Sequence, residues 1–187
     1  MNKYVNPCKV ITGPNVRWSY ASVWEPRSFE GGPLKYSVSL IIPKSDTDTL
    51  EKIRKAIQAA YEAGQMKLRG KAESVPALEE IQLPLRDGDV EHAGDPAYEG
   101  AMFVTASSKV APGIVDANRQ PIVDHSQVYS GVYGRASITF YAFSVDGDRG
   151  IACGLNNLQK IRDGEPLATR ISAEDDFDDS DDDDFLK

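Results

Sequence analysis

The run Tyr36 to Ile42 (YSVSLII), stopped by Pro43 and followed at once by a change of period, constrains the fold more than any other stretch. Successive side chains of a strand point to opposite faces, so Tyr36, Val38, Leu40 and Ile42 share one side. Val16 to Trp24 alternates in the same way, with Val16, Trp18 and Tyr20 on one face and Arg17, Ser19 and Ala21 on the other, until Glu25-Pro26 ends it. Gly31-Gly32-Pro33 lies between the two runs and predicts a hairpin-like pair. From Asp46 to Ala63 the apolar residues Leu50, Ile53, Ile57, Ala60 and Tyr61 instead recur at helical spacing. This predicts one amphipathic helix, with Asp48 and Glu51 spaced as a capping box and Gly64 as the stop.

Further strands are expected at Ala101–Ser107, Val128–Tyr129, Tyr133–Phe143 and Gly150–Leu155, separated by turn material such as RDGD at Arg86–Asp89 and DGDRG at Asp146–Gly150. Strands interrupted by a single helix, without strand–helix alternation, predict a mainly β chain folded as a small antiparallel barrel rather than a βαβ sheet. No repeat of fixed period is visible.

Charge divides the chain. Glu174 to Lys187 holds nine carboxylates and one lysine, and the body from Met1 to Ala173 has twenty acidic and twenty basic residues, so the net charge of −8 sits in the tail. A like-charged run of this kind cannot bury enough apolar surface to offset its ordering entropy, so residues 171–187 are expected to be a disordered acidic tail after one domain spanning 1–170. Within the body, Met1 to Ala72 carries twelve basic against six acidic residues, whereas Glu73 to Glu99 carries one against eight. A basic face built from the first third is compatible with an acidic protein.

No stretch approaches the roughly 20 apolar residues that span a bilayer, and MNKYVNPCKV lacks the apolar run of a signal peptide, which predicts a soluble intracellular protein with no membrane partner. Cys8 and Cys153 stand alone and read as small buried hydrophobes. His92 and His125 have no metal-ligand spacing around them, so no metal and no cofactor is assigned. Asp87, Asp89, Glu91 and Asp95 crowd one loop and could hold a divalent cation for a nuclease or recombination reaction. The spacing of a calcium loop fails there, because His92 stands where a glycine is needed, and a solvated acidic turn is the plainer reading. No phosphate cradle of the GxxxxGK[ST] type and no GxSxG elbow occurs, so the expectation is a non-enzymatic protein.

Binding to a single nucleic-acid strand needs cations that replace counterions and aromatic faces on which bases stack. In Tyr133–Phe143 the set Gly134, Ala136, Ile138 and Phe140 suits a core, leaving Tyr133, Arg135, Ser137, Thr139 and Tyr141 opposite. The same alternation exposes Arg17 and Ser19 on the first strand and Lys35, Ser37 and Ser39 on the second. Trp18, Tyr20 and Tyr36 are read as core, whereas Trp24, next to the turn, is open to a functional role. The candidate DNA-binding set is therefore Arg17, Trp24, Lys35, Lys109, Tyr133, Arg135 and Tyr141. An acidic arm closed by an aromatic imitates a nucleic-acid strand. Asp181, Asp182, Asp183, Asp184 and Phe185 are accordingly the candidate partner-binding segment, with a solubility tail or a protein-protein adaptor as the alternatives.

The segments SYASVWEP at Ser19–Pro26, SLIIPKSDTDTLEKI at Ser39–Ile53, LPLRDGD at Leu83–Asp89, YSGVYGRASITFYAF at Tyr129–Phe143 and GIACGLNNLQKIRDGEPL at Gly150–Leu167 occur in an order that resembles a phage-encoded family of single-stranded DNA-binding proteins. The resemblance covers nearly the whole body. It implies an OB-fold barrel that coats single-stranded DNA without strong sequence preference during replication, recombination or repair in the cytoplasm of a bacterial host; the oligomeric state is left open by the sequence, with a homodimer as a candidate. The tail resembles those of bacterial and phage single-strand binders, in which a terminal aromatic docks on phage or host replication proteins. Here Phe185 is followed by Leu186 and Lys187.

Overall fold

The alternating runs on either side of Gly31-Gly32-Pro33 pair as strands β2 (Val16–Arg27) and β3 (Lys35–Pro43) in the computed structural model, which describes residues 5–167. A short strand β1 (Lys9–Ile11) precedes them. After β3 come α1 (Thr47–Ala63), α2 (Gln65–Arg69), β4 (Arg86–Asp87), α3 (Gly88–Glu91), β5 (Ala101–Ser108), β6 (Gly113–Val115), β7 (Tyr133–Val145) and β8 (Asp148–Arg162). The pairings run β2–β3–β5–β8–β7 and return from β7 to β2, so five strands close on themselves. Closure uses short seams: β2 meets β7 only at Val16–Gly134 and Arg17–Tyr133, and β5 meets β8 in parallel only at Ala106–Cys153 and Ser107–Gly154. A closed, mainly antiparallel five-strand Greek-key barrel is the OB architecture.

The barrel is filled by Val16, Trp18, Val38, Leu40, Ile42, Val104, Ala106, Ala136, Ile138 and Phe140, and α1 adds Leu50, Ile53, Ala56, Ile57 and Ala60 to the same cluster. Gly134 carries no side chain because the Trp18 ring lies where its Cβ would be. Cys153 is buried and Cys8 half-buried against the core, and burial raises both thiols.

Three local expectations are corrected. The helix cap is Asp46, whose side chain accepts from Thr49 N at 3.2 Å; Asp48 and Glu51 instead pair with Lys52 and Lys55 one turn on. Thr49 Oγ1 also accepts from Gly13 N, which fixes the helix start against the turn after β1. Val128–Tyr129 forms no strand and follows a single 3-10 turn. The last strand does not stop at Leu155. Asn156 is an extra residue between the Ser137–Asn157 and Ile138–Leu155 pairs, and its amide donates to Thr139 Oγ1 at 2.9 Å, so a bulge carries β8 on to Arg162. Asp146-Gly147, with φ of 49° and 88°, makes the two-residue turn between β7 and β8.

No helix among the described residues is long and apolar enough to cross a membrane. The expected acidic tail, with Asp181–Asp184 and Phe185, and the domain boundary at 170 lie outside the described residues.

Candidate nucleic-acid interface

A bulge in β2 decides what the outer wall of the barrel presents. Ser19 pairs with Ser39 and Ser22 with Ser37, so β2 uses three residues where β3 uses two. One extra residue reverses the facing of every side chain that follows. Val16 and Trp18 therefore point inward as expected, but the inward positions continue at Ala21 and Val23, and Tyr20 is expelled. Tyr20 sits at φ 46° with 64% of its surface exposed, which overturns the expectation that it is core. Ser130 Oγ accepts from Ala21 N at 3.0 Å and holds the bulge.

Ser19, Ser37 and Ser39 are also corrected. They face outward from the barrel but are buried. The segment between Gly88 and Gly100 folds over Ser19 and Ser39, and Tyr98, itself fully buried, donates its hydroxyl to Ser39 Oγ at 3.0 Å. Burial raises the Tyr98 phenol above its ordinary value, against the Ser19 and Ser39 hydroxyls, which favour the phenolate. Tyr98 packs with Ile41, Ala101 and Phe103, and His92 stacks on it at 3.9 Å between ring centroids. The acidic loop serves this cover. Lys44 Nζ lies 2.9 Å from Asp87 and 2.7 Å from Asp89, and Asp89 Oδ1 accepts from Gly100 N. Those bonds, Lys44 first and Gly100 second, hold the Asp89 carboxyl below its ordinary value. Among the described residues no cluster of three or more His, Cys, Asp or Glu side chains is placed to hold a metal ion.

Six of the seven candidate residues lie on β2, β3 and β7, and Lys109 follows the end of β5. Arg17 and Tyr133 come together at the β2–β7 seam, where Arg162 covers the Tyr133 ring at 3.8 Å and Arg17 lies at 5.3 Å. Arg17 also donates to Gly131 O at 3.1 Å and to Glu165 O at 2.6 Å. Both side chains thus hold down the segment after β8, whose Gly164 carbonyl accepts from Tyr129 Oη. Arg135 and Tyr141 stand exposed on the outer face of β7, as the alternation predicts, although Arg135 Nε donates to Thr12 O. Trp24 is half-buried, stacked on His125 at 4.0 Å, with its indole N–H given to Val128 O.

The backbone register brings Lys35 and Lys109 to the same end of the β3–β5 ladder. Both lie directly beyond the Tyr36–Ser108 pair, and Arg27 is the registered partner of Lys35 on β2. Among the described residues none of these three cations has a carboxylate at ion-pairing distance. The adjoining β2–β3 loop exposes Phe29 and Leu34, 64% and 61% accessible. Beside them Ser19, Tyr20, Ser22, Arg27, Asp95 and Leu167 line a cleft of about 360 Å³. Tyr20, His92 and Tyr98 were not legible as site residues, because the bulge that exposes Tyr20 depends on β3 and the cover that carries His92 reads as a plain acidic loop.

An OB-type barrel whose outer wall carries exposed aromatics and cations that have no carboxylate partner among the described residues has the construction of oligonucleotide-binding barrels. The chain belongs to the single-stranded DNA-binding protein family of Enterobacter phage Enc34, whose sequence profile matches residues 8–186. It is 32% identical over 178 residues to the p50 protein of Acyrthosiphon pisum secondary endosymbiont phage 1, covering 88% of this chain and 90% of that one. The single-stranded DNA-binding protein of bacteriophage Enc34, solved in complex with ssDNA, superposes with a TM-score of 0.69 at 25% identity over 89% of this chain and 96% of that one. The bacteriophage T7 single-stranded DNA-binding protein gp2.5 shares the fold, with a TM-score of 0.60 at 15% identity over 89% and 96% of the two chains.

Proposed function

We propose that this protein binds single-stranded DNA without strong sequence preference and without a catalytic step, coating strands exposed during phage DNA replication, recombination or repair in the host cytoplasm. The observation that carries the reading is the group of cations Arg27, Lys35 and Lys109, without a carboxylate partner among the described residues, on the wall of an OB-type barrel that also exposes Phe29 and Tyr20. Cations track the phosphates by releasing counterions, and the aromatics take bases of any identity, because every base has a π-face. Arg135 and Tyr141 on the outer face of β7 are a second path along the barrel. A salt-dependent titration with single-stranded and duplex DNA tests the reading: single strands should bind tighter, with log affinity falling linearly against log salt. Magnesium-dependent cleavage that disappears in Asp87→Asn would replace it with a nuclease; the Lys44 ammonium between Asp87 and Asp89 argues against that.

The acidic tail competes with DNA for this wall and recruits replication proteins once DNA displaces it. The reading is supported by Leu167, the last described residue, which lines the cleft with Tyr20, seven positions before the acidic run starts at Glu174 in the sequence. Tethering gives its carboxylates a high effective concentration there, and salt screens them. Deleting Glu174–Lys187 should strengthen DNA binding most at low ionic strength, with the two proteins converging as salt rises. Phe185→Ala should lose capture of a replication protein while leaving DNA affinity unchanged.

A further inference from the structure

Tyr20 lines the cleft of about 360 Å³ and His92 an adjoining one of about 290 Å³, the two clefts meeting at Asp95. The Tyr20 and His92 ring centroids are 6.4 Å apart and their planes 32° from parallel. A flat ring sandwiched between two others needs about 7 Å, two contacts of roughly 3.5 Å each. The pair is thus near the spacing of a sandwich with its middle layer missing. His92 is fixed from behind: it stacks on Tyr98 at 3.9 Å and meets the edge of Phe103 at 4.9 Å, and Tyr98 is anchored to Ser39. Tyr20 is held out by backbone rather than by packing, at a φ of 46° that a side-chain-bearing residue adopts only under strain. A bulky aromatic kept in that conformation and 64% exposed contributes little to the core. The cleft beside it is lined by Asp95, whose carboxylate repels a phosphate, while Arg27 also lines it and attracts one.

We infer that Tyr20 and His92 are the two jaws of a slot that holds one unstacked base of the bound strand, with Arg27 on an adjoining phosphate. The inference rests on the proposed binding of single strands and says where one base goes. Because His92 is buttressed and Tyr20 is locked by the bulge, admitting a base takes only a small opening of the pair, which lowers the ordering cost of binding.

The test is fluorescence anisotropy with a labelled oligothymidylate and with an abasic strand of the same length. Tyr20→Ala and His92→Ala should each weaken binding to oligothymidylate roughly 5- to 100-fold, the loss of one stacked base, and leave the abasic strand unaffected. The double variant should bind only slightly more weakly than the worse single one, because both rings grip the same base. Tyr20→Gly guards against misfolding: glycine accepts the positive φ, so this variant should melt no lower than wild type yet bind as weakly as Tyr20→Ala. His92→Phe, which keeps a ring, should keep most of the affinity. Equal losses on both strands, additive losses in the double variant, or wild-type affinity in Tyr20→Gly would each overturn the slot while leaving the proposed function standing. Wild-type protein that binds neither strand would overturn both.

Discussion

The β2–β7 seam and the wall around the β2 bulge are made of the same kinds of residue, and only the second leaves them available. At the seam, Arg17, Tyr133 and Arg162 satisfy one another and the backbone of the segment after β8. Lys160 nearby is engaged in the same way, donating to Gln127 O and pairing with Asp163. Around the bulge, Tyr20 and Phe29 are largely exposed, and Arg27, Lys35 and Lys109 have no carboxylate partner among the described residues. An aromatic–cation stripe in a sequence therefore identifies chemistry that can bind a strand, but tertiary partners decide whether it does. Where the protein supplies the partner, the stripe stabilises the fold.

The sharpest way to break this comparison is to remove the seam. Tyr133→Ala and Arg17→Ala should each lower stability by about 1–3 kcal/mol through lost cation–π and charge-assisted hydrogen bonds, measured by denaturant unfolding. The DNA affinity of the folded fraction and its salt slope should stay near wild type. A variant that keeps its stability and loses DNA affinity would move the interface to the seam.

A smaller effect is expected on the other side. Lys35→Ala and Lys109→Ala should each reduce the slope of log affinity against log salt by about 1, with stability within about 0.5 kcal/mol of wild type. If Arg135→Ala flattens the slope and these two do not, the strand runs over β7 instead.

The smallest effect concerns the charges that hold the cover. Because the Asp89 carboxyl is depressed in the folded protein, it contributes stability above its ordinary value of 3.8, and that contribution is lost as pH falls through the lower, folded value. Asp89→Asn should therefore melt slightly lower than wild type at neutral pH, and the gap should close in strongly acidic buffer. A gap that persists there would assign the effect to geometry rather than charge.

The sequence by itself determined the long strands β2, β3, β5 and β7, the start of β8, the single long helix and the inward face of β7, since period-2 and period-3.6 patterns follow from backbone geometry and burial within one element. Trp18, Ile138 and Phe140 are buried where alternation puts them, and Gly64 ends α1. The family resemblance was legible too, because it rests on the order of segments along the chain. Only the tertiary structure decided which outward residues stay exposed. Tyr20 is turned out by an extra residue that is defined only by pairing with β3, and Ser39 is covered by Tyr98, 59 residues away in sequence. Arg17 is withdrawn by the Glu165 carbonyl, 148 residues away. Periodicity reports the face on which a side chain lies, whereas its availability depends on contacts between segments remote along the chain, which no local pattern encodes.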